Sequence, residues 1–232
     1  MYNITMIKKI IIILLIAFSV NAYAYGNPDF NIEADYIFYY KGMTAGIMKL
    51  KIDDKDNKIK ISTTYDGNFL AELANRGFRE ETSYVVKKNN YLYPEKYIYK
   101  DSIESYEANF DGNSVEIISE NIKSINFKTS ERIYDPISML LILMSRYPDV
   151  KNKYNVISKK KLKVYDYKYK ENTSIVIGDK KYSGYSAEYR SGNKTNYFFF
   201  SKEHKNLMVY TSIIKKGEEK IRIELSGIKF MN

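Results

Sequence analysis

The side chains best suited to acid–base chemistry in this sequence are carboxylates. The candidates are Glu80, Glu81, Glu104, Glu107 and Asp135. Two carboxylates held about 5–10 Å apart across a polar cleft support glycan chemistry, but no spacing in the sequence marks such a pair. The single histidine, His204, lies in the polar stretch 201–206, and we predict an exposed loop residue there rather than a general base.

Several other kinds of chemistry are excluded by composition. The chain has no cysteine, which excludes disulfide scaffolds, thiolate metal sites and cysteine nucleophiles, and its one histidine excludes a multi-histidine metal cluster. No phosphate-binding glycine loop, G-x-S-x-G turn or metal-binding helix motif is present. We therefore assign no catalytic residue and predict no metal and no cofactor.

The N-terminal segment has the pattern of a secretory signal peptide. Lys8 and Lys9 precede an apolar run from Ile10 to Val20, and the small-residue pattern Ala22-Tyr23-Ala24 follows. The run has 11 residues, whereas a membrane-spanning helix needs about 20. We expect cleavage after residue 24, leaving one exported domain over residues 25–232 with no transmembrane segment and no cysteine for a lipid anchor.

The chain is basic and rich in tyrosine. It has 37 Lys and Arg against 28 Asp and Glu, a formal net charge of +9, and 24 tyrosines. In a cytosolic protein these features would favour single-stranded nucleic acid as a partner. Export removes that partner and favours anionic lipids of the cell envelope, although codon bias in an AT-rich genome would produce the same composition.

From Glu33 onward the sequence alternates between apolar and polar residues, which predicts antiparallel strands. One face of a first strand carries Tyr36, Phe38 and Tyr40, and a second strand carries Met48, Leu50 and Ile52 after a break over Gly42–Gly46. Further strands are predicted at 59–65, 81–87, 91–99, 103–110, 115–118, 165–169, 175–177, 180–189, 195–200, 207–214 and 221–225. Pro94 predicts a strand edge or a bulge, because proline donates no ladder hydrogen bond.

One long helix interrupts this pattern at about residues 136–146. Asp135 is placed to cap its free N–H groups and Pro136 suits its first turn. The residues that follow are apolar on almost every face, so the helix either packs inside a curled sheet or borders a hydrophobic cavity. A short second helix is predicted around Phe69–Leu73 and ends at Gly77. The fold class is mainly β: a curved antiparallel sheet or incompletely closed β-barrel with one buried apolar helix.

The order of motifs resembles an exported-protein family, domain of unknown function 3108. The matching segments are 36–42 with 45–46, 92–94, 108–111, 134–138, 177–178 and 197–207. The resemblance implies a periplasmic protein of Gram-negative bacteria and an open β-barrel with an inner helix, similar to lipoprotein carriers. It implies structural roles for six motif residues: Gly42, Gly46, Pro94, Asp135, Pro136 and Ser138.

These features predict a non-catalytic binding or carrier module for a lipid or other apolar envelope component. Eight residues are predicted to line its cavity: Tyr36, Phe38, Tyr40, Leu140, Leu141, Met144, Phe198 and Phe200. Lysines at the mouth would meet an anionic head group. One alternative is a carboxylate-dependent hydrolase or transferase acting on envelope glycans or lipids. Another is a structural or assembly role with envelope proteins as partners, in which the protein's own side chains fill the cavity.

Overall fold

A computed structural model describes residues 31–68, 77–89, 91–120, 122–145 and 151–231. The predicted signal peptide and the predicted short helix around Phe69–Leu73 lie outside these residues. The described part contains fifteen strands: β1 (Ile32–Tyr40), β2 (Met43–Lys55), β3 (Lys58–Gly67), β4 (Arg79–Lys88), β5 (Tyr91–Asp101), β6 (Ser105–Asp111), β7 (Ser114–Ser119), β8 (Ile122–Lys128), β9 (Ile133–Tyr134), β10 (Lys153–Ser158), β11 (Lys161–Ile177), β12 (Lys180–Ser191), β13 (Lys194–Ser201), β14 (Leu207–Lys215) and β15 (Glu218–Phe230). It also contains the helix α1 (Pro136–Ser145) and a 3₁₀ turn, Lys202–His204.

All fifteen strands belong to one sheet in the order β8-β7-β6-β5-β4-β3-β2-β1-β15-β14-β13-β12-β11-β10-β9. Two antiparallel meanders, β1–β8 and β10–β15, are joined where β1 pairs with β15, and the short β9 adds a parallel edge to β10. The outer strands β8 and β9 do not pair with each other, so the sheet is not closed into a barrel. The mainly β fold predicted from the sequence is confirmed.

The first hairpin shows how the alternating pattern sets the faces of the sheet. Met48, Leu50 and Ile52 of β2 are buried while the lysines between them are exposed. The turn is shorter than the predicted break, because Lys41 and Gly42 alone form it and β2 begins at Met43. A bulge then displaces the register opposite Phe38.

Three strands were not predicted from the sequence: β8, β9 and β10. The strand β9 has only two residues, too few for alternation to be recognised. The strands β8 and β10, with seven and six residues, are as long as strands that the sequence did predict. Pro94 lies beside a register shift between β4 and β5, and β6 pairs with β5 only from Lys96 onward. Pro94 therefore lies both at a bulge and at a local edge of the sheet. No strand hydrogen bond is lost there, although proline has no N–H group.

The helix α1 lies inside the curled sheet, as the sequence predicted for an apolar helix. It contacts β3, β4 and β5 on one side and β10 on the other, although these strands are far apart in the sheet order. The sheet must therefore curve around the helix. Every residue from Ile137 to Ser145 is buried, and the Tyr185 hydroxyl of β12 donates to the Leu143 carbonyl oxygen. Within the described residues, no helix has the length and apolar character needed to cross a membrane.

The start of α1 is fixed by a buried carboxylate. Asp135 Oδ1 accepts hydrogen bonds from the backbone N–H groups of Ile137 (2.9 Å) and Ser138 (2.8 Å). The Ser138 hydroxyl in turn accepts from the Asp135 N–H at 3.1 Å, so the two residues cap each other. Ser83 of β4 donates to Asp135 Oδ2 at 2.8 Å and ties the helix to the sheet.

Candidate functional site

An inner cavity of about 190 Å³ lies between the first half of α1 and the curled sheet. The helix contributes Pro136, Ile137, Met139 and Leu140 to its lining. The sheet contributes Met48, Thr63, Tyr65, Arg79, Glu81, Val156, Tyr165, Tyr167, Tyr189, Asn196, Phe198, Met208, Thr211, Ser212, Ile213, Ile221 and Ile223. Most of these side chains are aliphatic or aromatic, so the cavity suits an apolar ligand.

An outer cavity of about 110 Å³ adjoins the inner one at one rim of the sheet. The two cavities share five lining residues, Tyr65, Arg79, Ile213, Ile221 and Ile223. The remaining lining of the outer cavity is Phe38, Gly77, Phe78, Tyr99, Asp101, Ser102, Ile103 and Lys159. These residues come from the ends of β1 and β5, the start of β4 and the adjacent turns, so the outer cavity is the mouth of the inner one.

The rim of this mouth exposes apolar side chains. Phe78 is 43% exposed, and Ile103, at 79%, has the highest exposure among the exposed large hydrophobic residues of the described part. Lys159 and Asp101 line the same opening, and the residue after Lys159, Lys160, pairs with Glu104. The rim therefore combines exposed apolar side chains with charged groups of both signs.

Arg79 occupies the neck between the two cavities. Its Nε lies 2.9 Å from Glu81 Oε1, so the two side chains form an ion pair. The Nε–H group does not point at that oxygen, and the contact is therefore not a hydrogen bond. The guanidinium carbon lies 4.2 Å from the centroid of the Tyr65 ring, a cation–π contact. The side chain is 23% exposed, and among the described residues its two terminal nitrogens have no hydrogen-bond acceptor.

Glu81 is held on its other side by a tyrosine. The Tyr97 hydroxyl donates to Glu81 Oε2 at 2.6 Å. Burial and the adjacent Glu81 carboxylate raise the pKa of Tyr97 well above its ordinary value of 10.0, so the hydroxyl remains a donor at neutral pH. Arg79, Glu81 and Tyr97 thus form a polar group inside an otherwise apolar interior.

Stacked tyrosines form the wall opposite the helix. The rings of Tyr165 and Tyr189 are stacked with centroids 4.1 Å apart, and Tyr167 meets Tyr189 edge-on at 5.0 Å. Phe198 extends the stack at 6.2 Å from Tyr189. Burial raises the pKa of Tyr167 and of Tyr189, so both rings remain neutral and this wall adds no charge to the cavity.

The structure distributes the eight predicted lining residues over several places. Leu140 and Phe198 line the inner cavity, and Phe38 lines the outer cavity. Four are in the core outside both linings: Tyr36, Leu141, Met144 and Phe200. Tyr36 donates to the Met208 carbonyl oxygen at 2.7 Å, and Tyr40 is half-buried at the end of β1. Contact of any of the eight with a ligand stays a prediction.

Sequence reasoning missed Arg79 and Tyr65. The available signal was the two-residue spacing between Arg79 and Glu81, which places both side chains on one face of β4. That spacing does not reveal which face is the inner one. Tyr65 belongs to a different strand, and only the pairing of β3 with β4 brings it opposite Arg79.

The carboxylates considered for catalysis have other partners. Glu104 pairs with Lys160, and Glu107 pairs with Lys96 at 2.7 Å. Asp135 is fully buried, and burial raises its pKa to about 6 despite the hydrogen bonds that it accepts. His204 is half-buried in the 3₁₀ turn, with Nδ1 3.1 Å from Ser201 Oγ. In the described part of the chain, no three His, Asp or Glu side chains are grouped as metal ligands.

A larger cavity, of about 520 Å³, lies at the opposite ends of β5 and β10. Its lining is Tyr91, Leu92, Ser130, Glu131, Arg132, Tyr134, Ile142, Lys151, Lys153 and Tyr154. Leu92 and Ile142 are its only aliphatic members, and four of the ten residues are charged. Arg132 stacks on Tyr93, with its guanidinium carbon 3.8 Å from the ring centroid. The lining of this cavity is more polar than that of the inner cavity, so it is less suited to an apolar ligand.

Comparison with known proteins supports the fold alone. No protein-family model and no curated relative matches the chain. A solved structure described as a β-barrel-like protein of domain of unknown function DUF1849, from Brucella abortus, matches with a TM-score of 0.55. The fold is β-barrel-like. The match covers 87% of this chain and 98% of the Brucella chain at 6% sequence identity.

Proposed function

We propose that this chain is an exported binding or carrier module for a lipid or other apolar component of the Gram-negative envelope, working in the periplasm. The observation that carries the proposal is the pair of adjoining cavities inside the curled sheet, which reach the surface at a rim exposing Phe78 and Ile103. An apolar ligand entering there would remove both its own surface and the rim side chains from water.

The size of the cavities supports a single slender chain as the ligand. Their volumes, about 190 and 110 Å³, together reach only the lower end of the roughly 300–1,000 Å³ typical of ligand pockets. The inner cavity alone has the volume of about six water molecules in the liquid. One acyl chain, entering from the rim and bordered by α1, suits this space better than a two-chain lipid.

The sequence adds two supporting expectations. A signal peptide, if cleaved as the sequence predicts, would bring the protein to a compartment where envelope lipids are available, and the formal charge of +9 favours anionic surfaces. A hydrolase or transferase gains no comparable support, because four of the five carboxylates considered are engaged in ion pairs or helix capping: Glu81, Glu104, Glu107 and Asp135.

The test is native mass spectrometry of protein purified from the periplasm without detergent, followed by extraction into organic solvent. A stoichiometric adduct identified as a lipid would support carriage and name the ligand. A mass equal to that of the chain alone, together with no uptake of an added single-chain fatty acid, would overturn carriage and favour the assembly role.

Two variants on the same helix show whether the inner cavity is the binding site. Leu140→Phe adds bulk inside that cavity, and we expect it to abolish the adduct. Ile142→Phe adds a phenyl ring two residues away, facing the cavity at the other end, and we expect it to retain the adduct. Equal retention by both variants would place the ligand elsewhere.

A further inference from the structure

The neck between the two cavities contains a cation with unused hydrogen-bonding capacity. Arg79 lines both cavities, and within the described residues its terminal nitrogens find no acceptor. A guanidinium offers five N–H donors in a planar fork that matches a carboxylate or phosphate. Only Nε is a fully enclosed atom without a hydrogen-bond partner, whereas the side chain as a whole keeps 23% of its surface exposed, so its terminal nitrogens are open to an acceptor supplied from outside the protein.

The surroundings of Arg79 fix the direction of the fork. The Tyr65 ring covers one face of the guanidinium at 4.2 Å. Glu81 occupies the Nε side at 2.9 Å and is itself held by Tyr97. Glu81 therefore balances the charge of Arg79 while leaving the terminal nitrogens free for a second acceptor. A guanidinium fixed in this way needs little further ordering when an anion binds.

We propose that the ligand is a single-chain amphiphile with an anionic head group, and that Arg79 is the receptor for that head. This inference rests on the proposed function and narrows its ligand class. The head lies at the neck, beside the outer cavity, whose lining includes both Lys159 and Asp101. The chain extends into the inner cavity between Leu140 and the aromatic wall that includes Phe198.

Two envelope sources would supply this chemistry: a fatty acid with a carboxylate head, or a lipid with a phosphate head. Both present anionic oxygens to the fork. Ligands with one chain length and different heads separate the two sources from each other and from binding through the chain alone. A suitable series is decanoate, decyl phosphate, decanol and decyltrimethylammonium.

The experiment measures the affinity of delipidated protein for each member of the series by isothermal titration calorimetry. We expect at least one of the two anions to bind more than about tenfold tighter than decanol, because hydrogen bonds to a charged group are worth that factor or more. The tighter anion identifies the source. We expect Arg79→Gln to remove the advantage of the anions while leaving the affinity for decanol within about twofold.

The matched control is Arg132→Gln. Arg132 is also stacked on a tyrosine, but it lies at the far end of the molecule, and we expect its removal to preserve the anion preference. If Arg79→Gln does not fold, Arg79→Lys keeps the charge but not the fork, and it should lower the preference measurably.

The outcomes separate this inference from the proposed function. If wild-type protein binds decanol as tightly as both anions, or if the anion preference survives in Arg79→Gln, the head-group role of Arg79 is overturned while the carrier proposal stands. If wild-type protein binds none of the four ligands, the carrier proposal itself fails.

Discussion

Replacing the helix-capping carboxylate Asp135 with asparagine should stabilise the protein at neutral pH. Asp135 is fully buried, and its charge is unfavourable there although it accepts three hydrogen bonds. Asparagine keeps an oxygen for the two helix N–H groups and is an equally good N-cap. Its amide group can donate to the Ser83 hydroxyl, which can accept as well as donate.

The magnitude follows from the pKa of the carboxyl group. Burial raises the pKa of Asp135 from its ordinary value of 3.8 to about 6. At about 1.36 kcal/mol per unit, this shift corresponds to about 3 kcal/mol. Between these pH values the folded state holds a proton on Asp135 that the unfolded state has lost, so the contribution of Asp135 to wild-type stability falls as the pH rises from 3.8 to 6. Above that range the full penalty applies, and below it the penalty vanishes.

The assay is urea unfolding of wild type and Asp135→Asn from pH 3.5 to 8 at constant salt, followed by far-UV circular dichroism because the chain has no tryptophan. We expect the variant to be up to about 3 kcal/mol more stable at pH 7.5 and the two proteins to converge near pH 3.5. A variant that is less stable at pH 7.5, or a difference that does not change with pH, would refute the reasoning. The hydrogen bonds to the charged carboxylate would then outweigh its desolvation.

Three further substitutions test the packing. Leu141→Asp places an unpaired charge in the centre of the core and should cost more than about 4 kcal/mol; a cooperative thermal transition near that of wild type would contradict the interior position of the helix. Gly46→Ala should destabilise the protein by roughly 2 kcal/mol more than Gly42→Ala in urea unfolding. The Cβ added at Gly46 would lie 2.3 Å from a backbone oxygen, whereas the space at Gly42 is open. Equal losses of stability in the two variants would contradict the steric argument. Lys87→Met should cost about 3–5 kcal/mol by leaving buried Asp54 unpaired, and adding Asp54→Asn should recover most of that loss; no recovery would show that packing of the lysine stem dominates.

The elements best predicted from the sequence are those encoded by neighbouring residues. The hairpin of β1 and β2 follows from alternation over a few positions, and the start of α1 follows from Asp135 followed directly by Pro136. The strands β8, β9 and β10 were missed; each lies at or beside an open edge of the sheet, where long-range pairing contributes to their conformation.

The candidate site was harder to predict than the fold. The sequence identified the apolar helix and several aromatic faces, and three of the eight predicted lining residues border the two cavities. The neck was not predicted, because Arg79 and Tyr65 are on different strands and their contact depends on the register between them. A cavity is the space left when packing is complete, so no local pattern encodes its position.

The sequence alone determined that the domain is mainly β, that its single long helix is buried and where that helix begins. These properties depend on side-chain periodicity and on hydrogen bonds between residues close in the chain. Only the tertiary structure decided that β1 pairs with β15, that the sheet curls around α1 and that an arginine occupies the neck between two cavities. Each of these depends on contacts between segments that are distant in the chain. Strands with the same alternating pattern can pair in many orders, and the order that is adopted is the one that also buries the helix.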